Sequence, residues 1–180
     1  IRDRVAAGLN TALLERGQWP RRDDADWDQR KILVEQRYKS MAPMLVRQYG
    51  SKIFEKIYPN EVVGGNSVFY GGASLRLRPE DFVRWPFAYE DLAAYYARIE
   101  RILGVYGAAG ADPCEPPGIA SYPHEALEFS APAQRVYDAG TALGLRPFKL
   151  PLAINFSDAA RPLCLRCITC DGFPCKVEAK

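Results

Sequence analysis

Two closely spaced glycine pairs constrain this chain more than any other feature. Gly64-Gly65 and Gly71-Gly72 bracket the short run Asn66-Ser67-Val68-Phe69-Tyr70, inside the segment Glu61 to Ala73. Glycine reaches positive φ without steric penalty and lets main chain pass very close to a neighbour. Two such pairs around a polar and aromatic run read as a ribbon of backbone pressed against something flat and large. Fixed N–H donors along such a ribbon suit a phosphate or the edge of a ring system, because they offer partial positive charge without a desolvated ion. The plainer reading is two glycine turns around a short strand, and turn glycines are common.

Upstream, Leu9-Asn10-Thr11-Ala12-Leu13-Leu14-Glu15-Arg16-Gly17 reads as a buried strand ending in an acidic residue. A carboxylate at a strand end is what a dinucleotide-binding unit uses to hold a ribose hydroxyl. Taken alone, Glu15 reads as an exposed strand-end glutamate; taken with the ribbon, it points to a flavin or nicotinamide cofactor. The chain opens at Ile1, without Met, inside a short helical pattern closed by Gly8. It therefore reads as a piece of a longer protein, with a glycine-rich turn expected before Ile1.

Further along, apolar positions from Trp27 to about Tyr49 recur with helix-like spacing, disturbed at Pro43. Residues 51–60 look irregular, and 73–78 alternate as a strand would. Tyr89 to Leu103 is the clearest helix, with Glu90 and Asp91 in its first turn and Gly104 after its last. Residues 105–123 form a long Gly-, Ala- and Pro-rich loop. A second helix starts at Ser130 with Pro132 in its first turn and stops at Gly144. Residues 146–155 are extended, with Pro147 and Pro151 confining them to an edge. The fold class expected is α/β, or α+β: a partial Rossmann-like dinucleotide-binding domain over residues 1–110, then a further region over 111–180, which the family resemblance given below makes an FAD-binding domain and the start of a cap or substrate region.

Among 180 residues, 48% are apolar and 26% charged, enough for one sizeable core. The formal net charge of +2 gives no reason to expect a nucleic-acid partner. No stretch of about eighteen apolar residues occurs, so no transmembrane segment is expected.

Four of five cysteines crowd into one loop: Cys164, Cys167, Cys170 and Cys175. Such clustering is unlike a dispersed disulfide framework. Ferredoxin loops use Cys-x2-Cys-x2-Cys with a more distant fourth ligand. An iron–sulfur cluster, a structural zinc and a loop without metal all remain open. Asp171-Gly172-Phe173-Pro174 reads as a turn. The single histidine, His124, sits in a Pro-rich loop and reads as a surface residue. Trp85, Phe87, Tyr89, Tyr95 and Tyr96 read as core aromatics.

The segment Val62 to Gly72 resembles the flavin-contacting ribbon of the glucose–methanol–choline (GMC) oxidoreductases. Ala6-Ala7-Gly8-Leu9 to Leu14-Glu15-Arg16-Gly17 is similar to their second Rossmann strand. Trp85-Pro86-Phe87-Ala88-Tyr89-Glu90-Asp91-Leu92, then Tyr95-Tyr96 and Leu103-Gly104-Val105, resembles a helix of many bacterial members, and Cys164 to Cys175 resembles a cysteine-rich loop of a bacterial subgroup. The resemblance covers nearly the whole chain, with four motifs in order. It implies bound FAD and oxidation of a CH–OH group of an alcohol, sugar or polyol, with electrons leaving to a quinone, a cytochrome or oxygen. By this resemblance Glu15, with Arg16 beside it, holds the adenosine ribose. Gly64, Gly65, Asn66, Ser67, Tyr70 and Gly71 lie by the phosphates and flavin, Tyr70 standing where several members carry asparagine. The family's catalytic histidine lies near its C-terminus, so no catalytic residue is expected in this stretch. The alternatives are a small metal-stabilised binding module without flavin, and a structural subunit in which the ribbon is an ordinary turn.

Overall fold

The computed structural model describes residues 2–119 and 121–180, so Ile1 of the expected N-terminal helix lies outside them. It mixes short helices and short strands in two compact units. One runs up to Tyr70 and includes Ile168–Lys176; the other comprises Gly71–Cys167 and Val177–Lys180. The boundaries of these compact units fall inside the glycine ribbon and inside the cysteine loop.

In the first unit, helix α1 (Arg2–Ala6) ends at Gly8, whose φ of 72° is left-handed as a helix stop requires. The strand expected from Leu9 to Glu15 does not form: these residues have no ladder partner, and Leu13 and Leu14 are 69% and 94% exposed. A strand is defined by its neighbours, and among the described residues none lies alongside. Pairing begins only at Gln18, which bridges Val62 in parallel, with Val63 N–H donating to the Gln18 carbonyl at 2.9 Å.

The helix expected over 27–49 is likewise replaced. Asp24–Trp27 is a 3-10 turn and Arg30–Val34 a single π-helical turn. Past Pro43, Met44–Arg47 (β1) pairs antiparallel with Phe54–Ile57 (β2), in register Met44 with Ile57 and Arg47 with Phe54. Pro43 cannot continue a helix, and the apolar residues beyond it find cross-strand partners instead. The irregular stretch expected at 51–60 therefore contains β2. The core of this unit gathers Val62, Phe69, Phe173 and Pro174.

The second unit is built around helix α2 (Tyr89–Leu103). Its ends are those read from the sequence: the Ala88 N–H donates to Asp91 Oδ2 at 2.9 Å, and Gly104 caps the C-terminus in the left-handed region. Its buried face carries Tyr89 and Glu100, whereas Tyr95 and Ile99 are half or more exposed to solvent and Ile102 is 41% exposed. Among the five aromatics expected in the core, Tyr89 is fully enclosed, but Trp85 and Tyr95 are exposed. Strand β3 (Tyr106–Gly107) pairs parallel with β4 (His124–Glu125). Leu152 bridges Tyr106 on one side and Ala73 on the other. Four extended segments thus lie side by side, in the order 72–74, 151–153, 105–107 and 124–125. Residues 73–78 form no regular strand; only their start pairs, Ser74 N–H to the Pro151 carbonyl at 2.8 Å. Helix α3 (Ala131–Ala142) begins after Ser130 with Pro132 in its first turn, as the sequence indicates.

An ion pair fixes the second unit from within. The guanidinium of Arg76 donates to both oxygens of Glu100, each at 2.6 Å, and to the Tyr89 hydroxyl at 3.0 Å, while stacking on the Tyr96 ring. Both charged side chains are almost wholly enclosed.

Candidate functional site

Residues 61–68 and 15–17 come together in the first unit. Gly17 runs against Val62 so closely that a Cβ there would lie 2.3 Å from the Val62 nitrogen. Only glycine permits this approach. The Glu15 carboxylate accepts from the Gly17 N–H at 2.8 Å. That bond, with further help from the Arg16 and Gly64 main-chain N–H groups and the Arg16 charge, holds its pKa below the ordinary carboxylate range. The two segments singled out in the sequence are therefore adjacent, backbone against backbone, Gly17 beside Val62 and the Val63 N–H on the Gln18 carbonyl.

The glycine ribbon itself is not extended. Gly64 has φ of 93° and leads into a 3-10 turn over Gly65–Val68. The N–H groups of Gly65, Ser67 and Phe69 donate to the carbonyls of Val62, Gly64 and Asn66. Those amides are consumed by the turn, because three residues per turn brings each N–H back onto the carbonyl three positions earlier. Ser67 Oγ donates to the Gly64 carbonyl at 2.6 Å, and Asn66 Oδ1 accepts from Asn60 Nδ2 at 3.0 Å. Gly65, with φ of 55°, faces open space: a Cβ there would meet nothing within 4 Å. Tyr70 is half-buried, and that burial pushes its phenol pKa up. Gly71 opens the second unit; at Gly72 beside it, a Cβ would collide with the Ile154 side chain at 2.4 Å.

Next to Glu15 lies a cleft of about 570 Å³ that the sequence did not reveal. Arg16, Arg21, Arg37, Tyr38 and Lys39 contribute to its lining, with Trp19 and Glu61. Arg16 pairs with Glu61 at 2.9 Å. Arg37 makes a two-pronged contact with Asp23 at 2.5 and 2.6 Å. Asp26, fully enclosed, accepts from the Tyr38 hydroxyl at 2.7 Å and from the Arg22 N–H at 2.8 Å. Tyr38 in turn accepts from the Arg21 N–H at 2.9 Å. In sequence the run Arg21 to Asp26 reads as a solvated turn; its partners, twelve to seventeen residues downstream, give no local signal.

Cys164 and Cys167 belong to the second unit, Cys170 and Cys175 to the first. Among the described residues, no group of three or more His, Cys, Asp or Glu side chains could hold a metal ion. Sequence reasoning also missed Asn155, which shapes the approach to Cys164. Its enclosed side chain donates to the carbonyls of Asp158, Arg161 and Pro162 at 2.8 to 3.1 Å and accepts from the Asp158 N–H at 2.9 Å. Its main-chain carbonyl receives the Cys164 N–H at 2.8 Å. His124 is exposed, as expected, and stacks on the Tyr106 ring at 4.4 Å. Among the described residues no helix is long and apolar enough to cross a membrane.

No protein-family model matches the chain. It is similar to paromamine 6'-oxidase of Streptomyces fradiae, at 40% identity over 135 residues, covering 66% of this chain and 23% of that protein. A 6'''-hydroxyparomomycin C oxidase of Streptomyces lividus is 39% identical over 135 residues, 66% of this chain and 24% of the relative. A 2-methyl-1,2-propanediol dehydrogenase of Mycolicibacterium austroafricanum is 30% identical over 127 residues, 62% of this chain and 23% of the relative. The chain spans about a quarter of the length of these curated relatives.

Proposed function

We propose that this chain is part of a flavin-dependent oxidoreductase of the GMC type, acting on CH–OH groups of a sugar, alcohol or polyol. Two kinds of observation support the reading. The relatives are named as oxidases and a dehydrogenase, with paromamine and a propanediol among the compounds in their names. The single structural observation that carries it is the close approach of residues 15–18 to the glycine turn, with Gly17 packed against the Val62 backbone and the Val63 N–H donating to the Gln18 carbonyl at 2.9 Å.

The residues present fit an FAD. Glu15 is ionised, exposed, and anchored by its own backbone neighbours, so it remains available to accept from ribose hydroxyls. Gly65 leaves clear space beside the turn, where a planar group can approach backbone without meeting a side chain. The flavin, when bound, supplies a two-electron acceptor for hydride from the alcohol carbon. This chain's share is positional. Glu15 and Arg16 orient the adenosine end. The 3-10 turn, with its amides internally bonded, presents a rigid surface and not a row of donors. Tyr70, with its proton held more firmly than a free phenol, stays neutral and adds an aromatic wall. Taking the hydroxyl proton falls to a residue outside this stretch.

The experiment is absorbance of the full-length protein. The expected result is a flavin band that bleaches on anaerobic addition of an oxidisable alcohol or amino sugar, with Glu15→Gln retaining less flavin on gel filtration. Colourless full-length protein, or a Glu15→Gln variant that holds flavin as firmly as the parent, overturns the reading.

A further inference from the structure

We propose that a pocket of the second unit, walled by Phe129, Tyr137 and Phe148, binds a small hydroxylated amine through the carboxylate of Glu125. The pocket measures about 570 Å³ and lies between β4, helix α3 and the extended stretch 147–149. That volume falls in the range of cavities that hold small organic ligands. Local structure fixes the walls. Gln134 and Tyr137 stand three residues apart on α3 and so share one of its faces. Pro147 packs on Gly140 of the same helix, where a Cβ would lie 3.5 Å from the proline ring, and Phe148 follows directly. Phe129 and Tyr137 pair with ring centroids 5.2 Å apart. All three aromatic residues are half-buried.

Two charged side chains line the pocket, and only one is answered. The Lys149 ammonium lies 5.0 Å over the Phe129 ring and 3.7 Å from Glu128, with its side chain 26% exposed. The Glu125 carboxylate has no ion pair and no hydrogen bond among the described residues. An uncompensated carboxylate beside aromatic rings selects a cation, because ring faces carry partial negative charge. The seat of Lys149 shows that this wall already accepts an ammonium group. Gln134 spends its Nε2 on Asp138 at 2.8 Å, which leaves its amide oxygen, like the Tyr137 hydroxyl, without a partner among the described residues. These two groups suit the hydroxyls of a ligand and orient it. A cationic, hydroxylated ring with an apolar C–H face meets the whole lining. The pocket rests on that lining alone and does not require the flavin reading.

The test is calorimetric titration of the full-length protein with glucosamine, N-acetylglucosamine and glucose. All three offer a hydroxylated ring, and glucosamine alone carries an ammonium charge. Glucosamine is expected to bind roughly tenfold more tightly than the other two, with an affinity that falls as salt rises. Glu125→Gln is expected to erase that preference, and Glu125 is exposed, so the variant folds like the parent, as a thermal melt checks. Phe148→Leu is expected to weaken glucosamine and glucose by the same factor. Glu125-dependent binding by a colourless protein keeps the pocket and sinks the flavin reading. A flavoprotein whose glucosamine binding ignores Glu125 sinks the pocket alone. Equal affinity for glucosamine and glucose, no binding of glucosamine, or a Phe148→Leu variant that binds both like the parent overturns the proposal.

Discussion

At the scale of single residues, glycine has two separate uses here, and substitution distinguishes them. Gly17 is required by a neighbour's backbone: an added Cβ would lie 2.3 Å from the Val62 nitrogen. Main chain cannot rotate away as a side chain can, so Gly17→Ala must separate the two segments. It is expected to lower the stability of the intact protein by about 3 kcal/mol, read in denaturant melts. Gly65 has open space where its side chain would be. Gly65→Val costs about 1–3 kcal/mol for a β-branched residue at positive φ, and leaves the circular dichroism spectrum largely intact. In the proposed flavoprotein it fills the approach to the turn, so flavin retention is expected to be lost while the fold survives. A Gly65→Val protein that keeps its flavin shows that the turn does not face the ring. Both segments that meet here, residues 15–18 and 62–65, were legible in the sequence as unusual, since each announces itself through glycine. Asn155 was not, because the groups it satisfies are main-chain amides and carbonyls, which every residue carries, and Asp26 was not, because its side-chain partners Arg37 and Tyr38 stand eleven and twelve residues away.

At the scale of elements, legibility follows the range of the determining forces. Helices α2 and α3 were readable with their boundaries, because a capping carboxylate at Asp91, a proline at Pro132 and glycines at Gly104 and Gly144 act within one turn of where they stand. The β1–β2 hairpin was not readable. Its register depends on partners across the Gln48 to Ile53 connection, and its apolar spacing mimics a helix. Nor did the sequence indicate which face of α2 is inward, because Glu100 scores as a surface residue until its partner Arg76 is known. That pair sets a prediction at this scale. Glu100→Ala leaves an enclosed guanidinium without its counter-charge and is expected to destabilise the intact protein by about 3–5 kcal/mol. The double replacement Arg76→Met/Glu100→Leu removes both charges and is expected to lose much less, since desolvation then no longer opposes burial. Chemical denaturation of both single variants and the double, read as a cycle, checks this. Equal losses in Glu100→Ala and the double variant contradict it.

At the scale of the whole molecule, the exposed apolar surface is the dominant fact. Leu9, Leu13 and Leu14 stand open on a segment with no strand partner among the described residues, and Met41, Tyr49 and Ile168 are more than nine-tenths exposed. Ordinary surfaces carry single exposed apolar residues, but a run along one extended segment marks a face that another element covers. The relatives are about four times the length matched. The Rossmann-like proposal gives these residues a place as a strand inside a larger parallel sheet, where both faces are covered and near-continuous apolar runs are the rule. Leu14→Asp separates this from a segment that stays solvated. In the 180-residue chain Leu14 is already 94% exposed, so the change is expected to shift stability by under about 0.5 kcal/mol. In the full-length protein, a charge placed in a covered sheet is expected to cost about 3 kcal/mol or more and to lower the melting temperature by several degrees. Thermal melts of the two lengths side by side read the difference. A Leu14→Asp full-length protein that melts with its parent removes the segment from any core and, with it, the Rossmann-like assignment of residues 9–15.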